Sequence, residues 1–328
     1  MSMTEARFKK TAWAVLPLVA VVSMTSCKGV EISGKTENIA GYTEAQTMLV
    51  LGSERNRYQS VFGSEVWSLS VSGEREDSYG AYFVDKMKEF LQDIRTLNLL
   101  AEEKGIAPGS GDMERLRQLT TEFYSGLTED DFALMRNCTE QDVLTMYTSY
   151  FTACQTAEYL LQDVDTEVPD ADAKVIEVEQ IVVSDRAQAD QLWQEVNVEG
   201  ANFAYYARQS SEDPDITLTL AKSEKDDLLY QTAFALEENE ISEVFEQDGK
   251  YYILKCTNAY DQKATQDRKE KLEEAIRSSA FQSSYQEYAD QHIIRFREDF
   301  WDSIDLSEYP DSTADNFFAL YDAEMGNE

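Results

Sequence analysis

The chain has 328 residues, with 29 Lys and Arg against 63 Asp and Glu, a formal net charge of −34 and one histidine. So acidic a surface repels nucleic acid and anionic lipid and attracts cationic or partly unfolded polypeptides, although solubility alone is its simpler reading. A hydrophobic content of 42% excludes a disordered acidic tail, and the length suffices for two domains.

Arg7, Lys9 and Lys10 precede an uncharged apolar run, Thr11 to Met24. As a helix, its 14 residues span about 21 Å at ~1.5 Å per residue. That is short of a bilayer core of ~30 Å, so the run reads as the h-region of a signal peptide. Met24-Thr25-Ser26-Cys27 then resembles the lipobox of bacterial lipoproteins, with Met24 where Leu is usual. The resemblance implies cleavage before Cys27, lipid on its thiol, and a body tethered to the cell membrane outside the cytoplasm. The competing reading is an ordinary secretory signal with an incidental cysteine. Loss of residues 1–26 removes Arg7, Lys9, Lys10 and Glu5, which leaves 26 basic against 62 acidic residues, or −36. Residues 27–42, polar and containing Gly29 and Gly34, read as a lipidated tether. No other stretch approaches membrane-spanning length.

Residues 43–163 read as a helical domain. Tyr82, Phe83, Met87, Phe90, Leu91, Ile94, Leu97 and Leu100 recur at three- and four-residue spacing, which predicts one buried helical face. Lys104-Gly105-Ile106, with Pro108 beyond, predicts its stop. A second helix is expected over Asp112 to Ser125. Thr128 and Thr139, each followed by acids in the first turn, have the form of N-caps, and the second opens a helix to about Leu161. The dense aromatics Tyr147, Tyr150, Phe151 and Tyr159 read as bundle core. Cys138 and Cys154 are expected to flank one helix about 24 Å apart, too far for a disulfide. With Cys27 lipidated, three thiols remain and cannot all pair within one chain. The lack of CxxC or a Cys/His cluster argues against a zinc site, and no metal or cofactor is expected.

Val164 to Ala173, with Pro169 and several acids, reads as a linker. The character then changes. Lys174 to Val183 is β-branched and strand-like; Ala187 to Val196 and Asn202 to Gln209 are helical; Ile216 to Leu220 alternates. Leu228 to Leu236 is helical, and Ile241 to Gln247 and Lys250 to Thr257 form a hairpin across Asp248-Gly249. The order β-α-α-β-α-β-β predicts a small α+β domain with an antiparallel sheet over 174–260. Residues 261–300 return as a C-terminal helix expected to pack on the N-terminal domain, with His292 as a surface residue on it. Residues 301–328 read as a loosely attached acidic tail.

Six short motifs fall in order across 174–260: Val178-Glu-Gln-Ile-Val-Val183, Gly200-Ala-Asn-Phe-Ala204, Ala207-Arg-Gln-Ser-Ser-Glu-Asp213, Thr232-Ala-Phe-Ala-Leu236, Glu240-Ile-Ser-Glu-Val244 and Asp248-Gly-Lys-Tyr-Tyr-Ile-Leu-Lys255. Together they resemble a parvulin-type (PpiC, rotamase) peptidyl-prolyl isomerase domain. The flanking plan, over about 43–300, resembles the SurA- and PrsA-type extracytoplasmic foldases. The implied fold is α+β: a helical chaperone module with a returning C-terminal helix and a parvulin-like domain inserted.

The departures sit at the family's site. Where the family has two histidines this chain has Gln180 and Tyr252, and its one histidine is His292, outside the domain. The Gly-rich turn after the acidic motif is replaced by Thr217-Leu-Thr-Leu-Ala221. The family's apolar pocket positions fall on Lys225 and Leu229; Asp213 and Phe234 stand where its functional side chains do. The degenerate site positions implied are thus Gln180, Asp213, Leu229, Phe234 and Tyr252. The resemblance implies a membrane-anchored foldase or holdase that binds unfolded or partly folded exported polypeptides and does not bind nucleic acid. Two other readings stay open: an active isomerase with a non-histidine site, and a non-chaperone envelope lipoprotein. No catalytic triad, phosphate loop or pair of similar α/β halves is present to support other classes.

Overall fold

A computed structural model describes residues 39–70, 78–223 and 227–326; the leader with Cys27, and Lys225, lie outside the described residues. The chain divides into two compact units, one of residues up to Asp163 together with those from Ser278 on, the other of Val164–Arg277.

The first unit opens with a short strand, β1 (Ile39–Ala40), and then α1 (Glu44–Phe62). Thr43 and Gln46 close a capping box at its start. Residues Thr47 to Asn56 of α1 are buried without a break, so this helix runs through the middle of the unit and has no polar face. On α2 (Tyr79–Lys104) the expected face is buried from Phe83 to Leu100, whereas Tyr82 is 44% exposed. Gly105 ends α2 at φ +70°, in the left-handed conformation that favours glycine. The helices α3 (Ser110–Ser125), α4 (Glu129–Leu134) and α5 (Glu140–Leu161) follow; Thr128 and Thr139 cap the last two with Asp131 and Asp142. Leu49, Leu91, Leu97, Leu116, Tyr147 and Tyr150 share one core. Cys138 precedes α5, and Cys154 lies within it rather than at its far end; both are free, as is Cys256.

The second unit begins earlier than the sequence suggests. Val168 and Ala173 are buried, and α6 (Asp170–Ala173) leads directly into the sheet, so 164–173 is part of the fold rather than a linker. The Val168 N–H donates to Glu273 at 3.3 Å, and Lys269 donates to Asp170 at 2.9 Å. The elements are β2 (Val175–Val183), α7 (Arg186–Val196), α8 (Phe203–Ser210), β3 (Thr217–Ala221), α9 (Leu228–Ala235), β4 (Phe245–Gln247) and β5 (Lys250–Asn258). This α+β unit has one antiparallel sheet in the order β3-β2-β5-β4. Asp248 (φ +53°) and Gly249 (φ +77°) make the two-residue hairpin loop, whose backbone twist matches that of the flanking strands. The expected strand over 241–247 is shorter, because the buried Ser242 hydroxyl accepts the Leu254 N–H at 2.9 Å in place of a backbone carbonyl. Strand alternation divides the apolar residues: Ile181, Val183 and Ile253 face α7 and α8, while Val178, Leu220 and Leu254 face α9.

The helix expected over 261–300 is α10 (Gln262–Ala289), which starts in the second unit and ends in the first. It stops because Ile294–Arg295 forms β6, paired in parallel with β1. His292 therefore lies past the helix. Its ring stacks on Tyr288 at 4.0 Å between centroids, with Nδ1 2.9 Å from the Tyr288 carbonyl. Two short helices follow, α11 (Glu298–Trp301) and α12 (Phe317–Met325). The segment read as a loose acidic tail is core: Trp301, Leu306, Phe317, Phe318, Tyr321 and Met325 are buried with α1, α2, α3 and α5. The Phe317 ring stacks on Tyr147 at 4.1 Å, and the Tyr147 hydroxyl donates to the Phe317 carbonyl at 3.0 Å. No helix among the described residues is long and apolar enough to cross a membrane.

Candidate functional site

The site positions read from the sequence gather on the α9 side of the sheet in the second unit. Pairing of β2 with β5 sets Gln180 opposite Leu254 and Val182 opposite Tyr252. Side chains two apart on a strand share a face, so Gln180 and Tyr252 are diagonal neighbours on one face, with Cα atoms roughly 7–8 Å apart. Leu229 and Phe234, from α9, pack on the same face with Leu218, Phe245 and Leu254. Asp213 sits in the turn between α8 and β3, where its carboxylate accepts the Asp215 N–H at 2.9 Å. Lys225 lies outside the described residues.

Gln180 is 3% exposed. Its amide nitrogen donates to the Asp215 carbonyl at 2.6 Å, and its backbone N–H donates to the Ile216 carbonyl at 2.8 Å. The side chain thus ties β2 to the loop that carries Asp213 and enters β3. Tyr252 is half-buried and stacks on Phe245, with centroids 5.5 Å apart and planes 17° apart. Burial raises the Tyr252 hydroxyl above its ordinary pKa, and the carboxylates of Asp248, Asp213 and Asp227 push the same way. At neutral pH Tyr252 is therefore a phenol that donates a hydrogen bond, not a base.

Three contributors escaped the sequence reading. Asp227 caps α9 by accepting the Leu229 N–H at 2.9 Å, and Gln247 accepts from the same N–H at 2.9 Å, which fixes the start of α9 over β4. Phe245 is the direct cross-strand partner of Tyr252. Its place was legible: with Asp248-Gly249 as a two-residue loop, counting back sets 247 against 250 and 245 against 252. The face as a whole offers an apolar floor, the Tyr252 phenol and surrounding carboxylates. It holds no thiol or imidazole at the paired positions Gln180 and Tyr252.

Residues 171–260 match the family of the PPIC-type PPIASE domain. Among solved structures, the chain is similar to the foldase protein PrsA of Streptococcus pneumoniae, at 18% identity over 81% of this chain and 90% of that one, with a TM-score of 0.27. It is also similar to PrsA of Bacillus subtilis, at 18% identity over 73% and 98%, TM-score 0.25. The figures for the peptidylprolyl isomerase PrsA of Bacillus cereus are 18% identity over 77% and 99%, TM-score 0.31. No curated protein matches the chain.

Proposed function

We propose, from the membership of residues 171–260 in the PPIC-type peptidyl-prolyl isomerase family, that this chain is an extracytoplasmic foldase that binds unfolded exported polypeptides and isomerises prolyl bonds weakly or not at all. One observation carries the reading: the sheet face keeps its apolar floor, while Gln180 and Tyr252 stand in place of the two histidines that the resemblance calls for. Isomerisation breaks no bond. It requires the X-Pro amide to be desolvated and a barrier of ~18–20 kcal/mol to be lowered. Leu229, Phe234 and Phe245, all partly exposed, can desolvate a prolyl ring. Gln180 gives one amide N–H to the Asp215 carbonyl and is 3% exposed, so the half-buried Tyr252 hydroxyl is the donor better placed toward a twisted amide. A face of this kind binds better than it catalyses.

The test uses the soluble chain from residue 28 in two assays, proline-limited refolding of a substrate protein and light scattering of an aggregating client. The expected result is suppressed aggregation, with isomerase turnover about a hundredfold or more below that of a two-histidine parvulin. Rapid turnover that collapses on Asp213→Ala or Tyr252→Phe would mean an active site built without histidine. No effect in either assay would move the chain to the non-chaperone envelope class.

The anchoring rests on the n-region, the short apolar run and Ser26-Cys27. Protein extracted from membranes is expected to begin at Cys27 and to carry a diacylglycerol-sized mass increment on it. An unmodified Cys27 with the leader attached would refute the anchor.

A further inference from the structure

Outside the sheet face, the helical unit carries a groove of about 630 Å³ whose walls come from the start of α2 and from the segment around α11. Its size is that of a ligand site. Trp67, Val84, Trp301 and Leu306 give it an apolar lining. Gly80 brings α2 close to the Trp67 backbone here: a Cβ at that position would meet the Trp67 carbonyl oxygen at 3.1 Å.

The apolar surface continues out of the groove. Leu69, two residues beyond Trp67, is 58% exposed. Trp67 stacks on Tyr79 at 6.2 Å, Tyr79 meets Tyr82 at 6.0 Å, and Tyr58 joins Trp67 to Phe62. Phe62 is 64% exposed. A run of contacting rings that ends in exposed apolar side chains marks a surface made to be covered.

The charge of the lining selects what covers it. Among the described residues, four ionisable side chains of the lining are acidic, Asp85, Glu298, Asp302 and Asp305, and one is basic, Lys88, which is already paired with Glu298 at 2.5 Å. A second copy of a chain with net charge −34 would meet like charge across this surface. An acidic polypeptide would meet the same repulsion. We infer that the groove binds extended polypeptide segments in which aromatic or aliphatic residues are flanked by Lys or Arg. The apolar side chains lie over Trp67, Trp301 and the rings beyond, and the cations lie against Asp302 and Glu298. This rests on the foldase reading and names its client chemistry.

The test is anisotropy of a fluorescein-labelled peptide with alternating Phe and Leu between Lys-Arg pairs, beside a counterpart with Glu at every Lys and Arg. The basic peptide is expected to bind the soluble chain at least about tenfold more tightly than the acidic one at low salt, with the margin shrinking as salt is added. Ala81→Trp fills the groove from an exposed position in its wall, and Asp302→Lys reverses the rim charge at an exposed side chain. Each is expected to weaken the basic peptide about tenfold, with the helical circular dichroism and melting unchanged. Unaltered affinity in both variants would overturn the proposal. Client aggregation suppressed equally by wild type and Ala81→Trp would overturn the groove and leave the foldase reading standing. Peptide binding that Ala81→Trp abolishes, in a chain whose wild type neither suppresses aggregation nor isomerises prolyl bonds, would support the groove and remove the foldase reading.

Discussion

Arg55→Leu is expected to destabilise the helical unit by about 3–5 kcal/mol, because it strips a buried turn of its donor. Arg55 lies on the all-round buried stretch of α1 and is 1% exposed. Among the described residues no carboxylate lies within salt-bridge reach of it. Its Nε donates to the Leu306 carbonyl at 2.9 Å, Nη2 to the Glu308 carbonyl at 2.8 Å and Nη1 to the Tyr309 carbonyl at 3.3 Å. Nη1 also donates to Asn56 at 2.8 Å, and the Asn56 amide donates on to Ser312 and Ala314. Burial lowers the guanidinium pKa, and the Asp305 carboxylate opposes that shift. Leucine preserves bulk but leaves three carbonyls without their donor, each costing about 1–3 kcal/mol. Lysine restores the charge without the planar fork and should recover only part of the loss. Urea unfolding followed by tryptophan emission measures this, since Trp67 and Trp301 both lie in this unit. A loss under about 1 kcal/mol would mean that water satisfies those carbonyls.

The same region shows what the sequence revealed and what it concealed. The α2 face was legible because one side of that helix is buried and the other is not, so apolar residues recur at helical spacing. α1 is buried on all sides from Thr47 to Asn56, and burial all round leaves no stripe to detect. Its polar residues Arg55 and Asn56 look like surface groups until the loop they bind is in place. In the tail, the acids drew attention from a pattern that was present: Phe317, Phe318, Tyr321 and Met325 recur with the period of a helix. The end of α10 was not legible, because β6 exists only through its pairing with β1, some 250 residues earlier in the chain. On the sheet face, alternation and the Asp248-Gly249 loop fixed which residues meet. The Gln180 bond to the Asp215 carbonyl depends on a loop path that no periodicity encodes.

Asp131→Ala is expected to cost about 3–4 kcal/mol, and Asp131→Asn nearly as much, although Asn is almost isosteric. Asp131 is 1% exposed and accepts five hydrogen bonds. One oxygen takes the Thr128 N–H and hydroxyl at 2.9 and 2.7 Å; the other takes the Ser312 hydroxyl and the Thr313 and Ala314 N–H groups at 2.7 to 2.9 Å. An amide offers an acceptor to one set and aims an N–H at the donors of the other. Burial pushes the Asp131 carboxyl upward, but the Ala314 and Thr128 N–H groups and the Ser312 and Thr128 hydroxyls outweigh it and hold the pKa below its ordinary value. The stabilisation is therefore complete above the unfolded value of 3.8 and is lost as pH falls through the lower folded value. Asp93 has the opposite sign. Burial raises it to about 7 despite the hydrogen bond from Tyr285, so its contribution is complete below 3.8 and is lost as pH rises through about 7. The helical unit should thus be most stable between these limits. In Asp131→Ala the acid limb of the stability profile should flatten while the limb near neutrality remains, and in Asp93→Asn the reverse should hold. Urea midpoints measured from acid to mildly alkaline pH decide it; an acid limb unchanged in Asp131→Ala would place the acid sensitivity elsewhere in the chain.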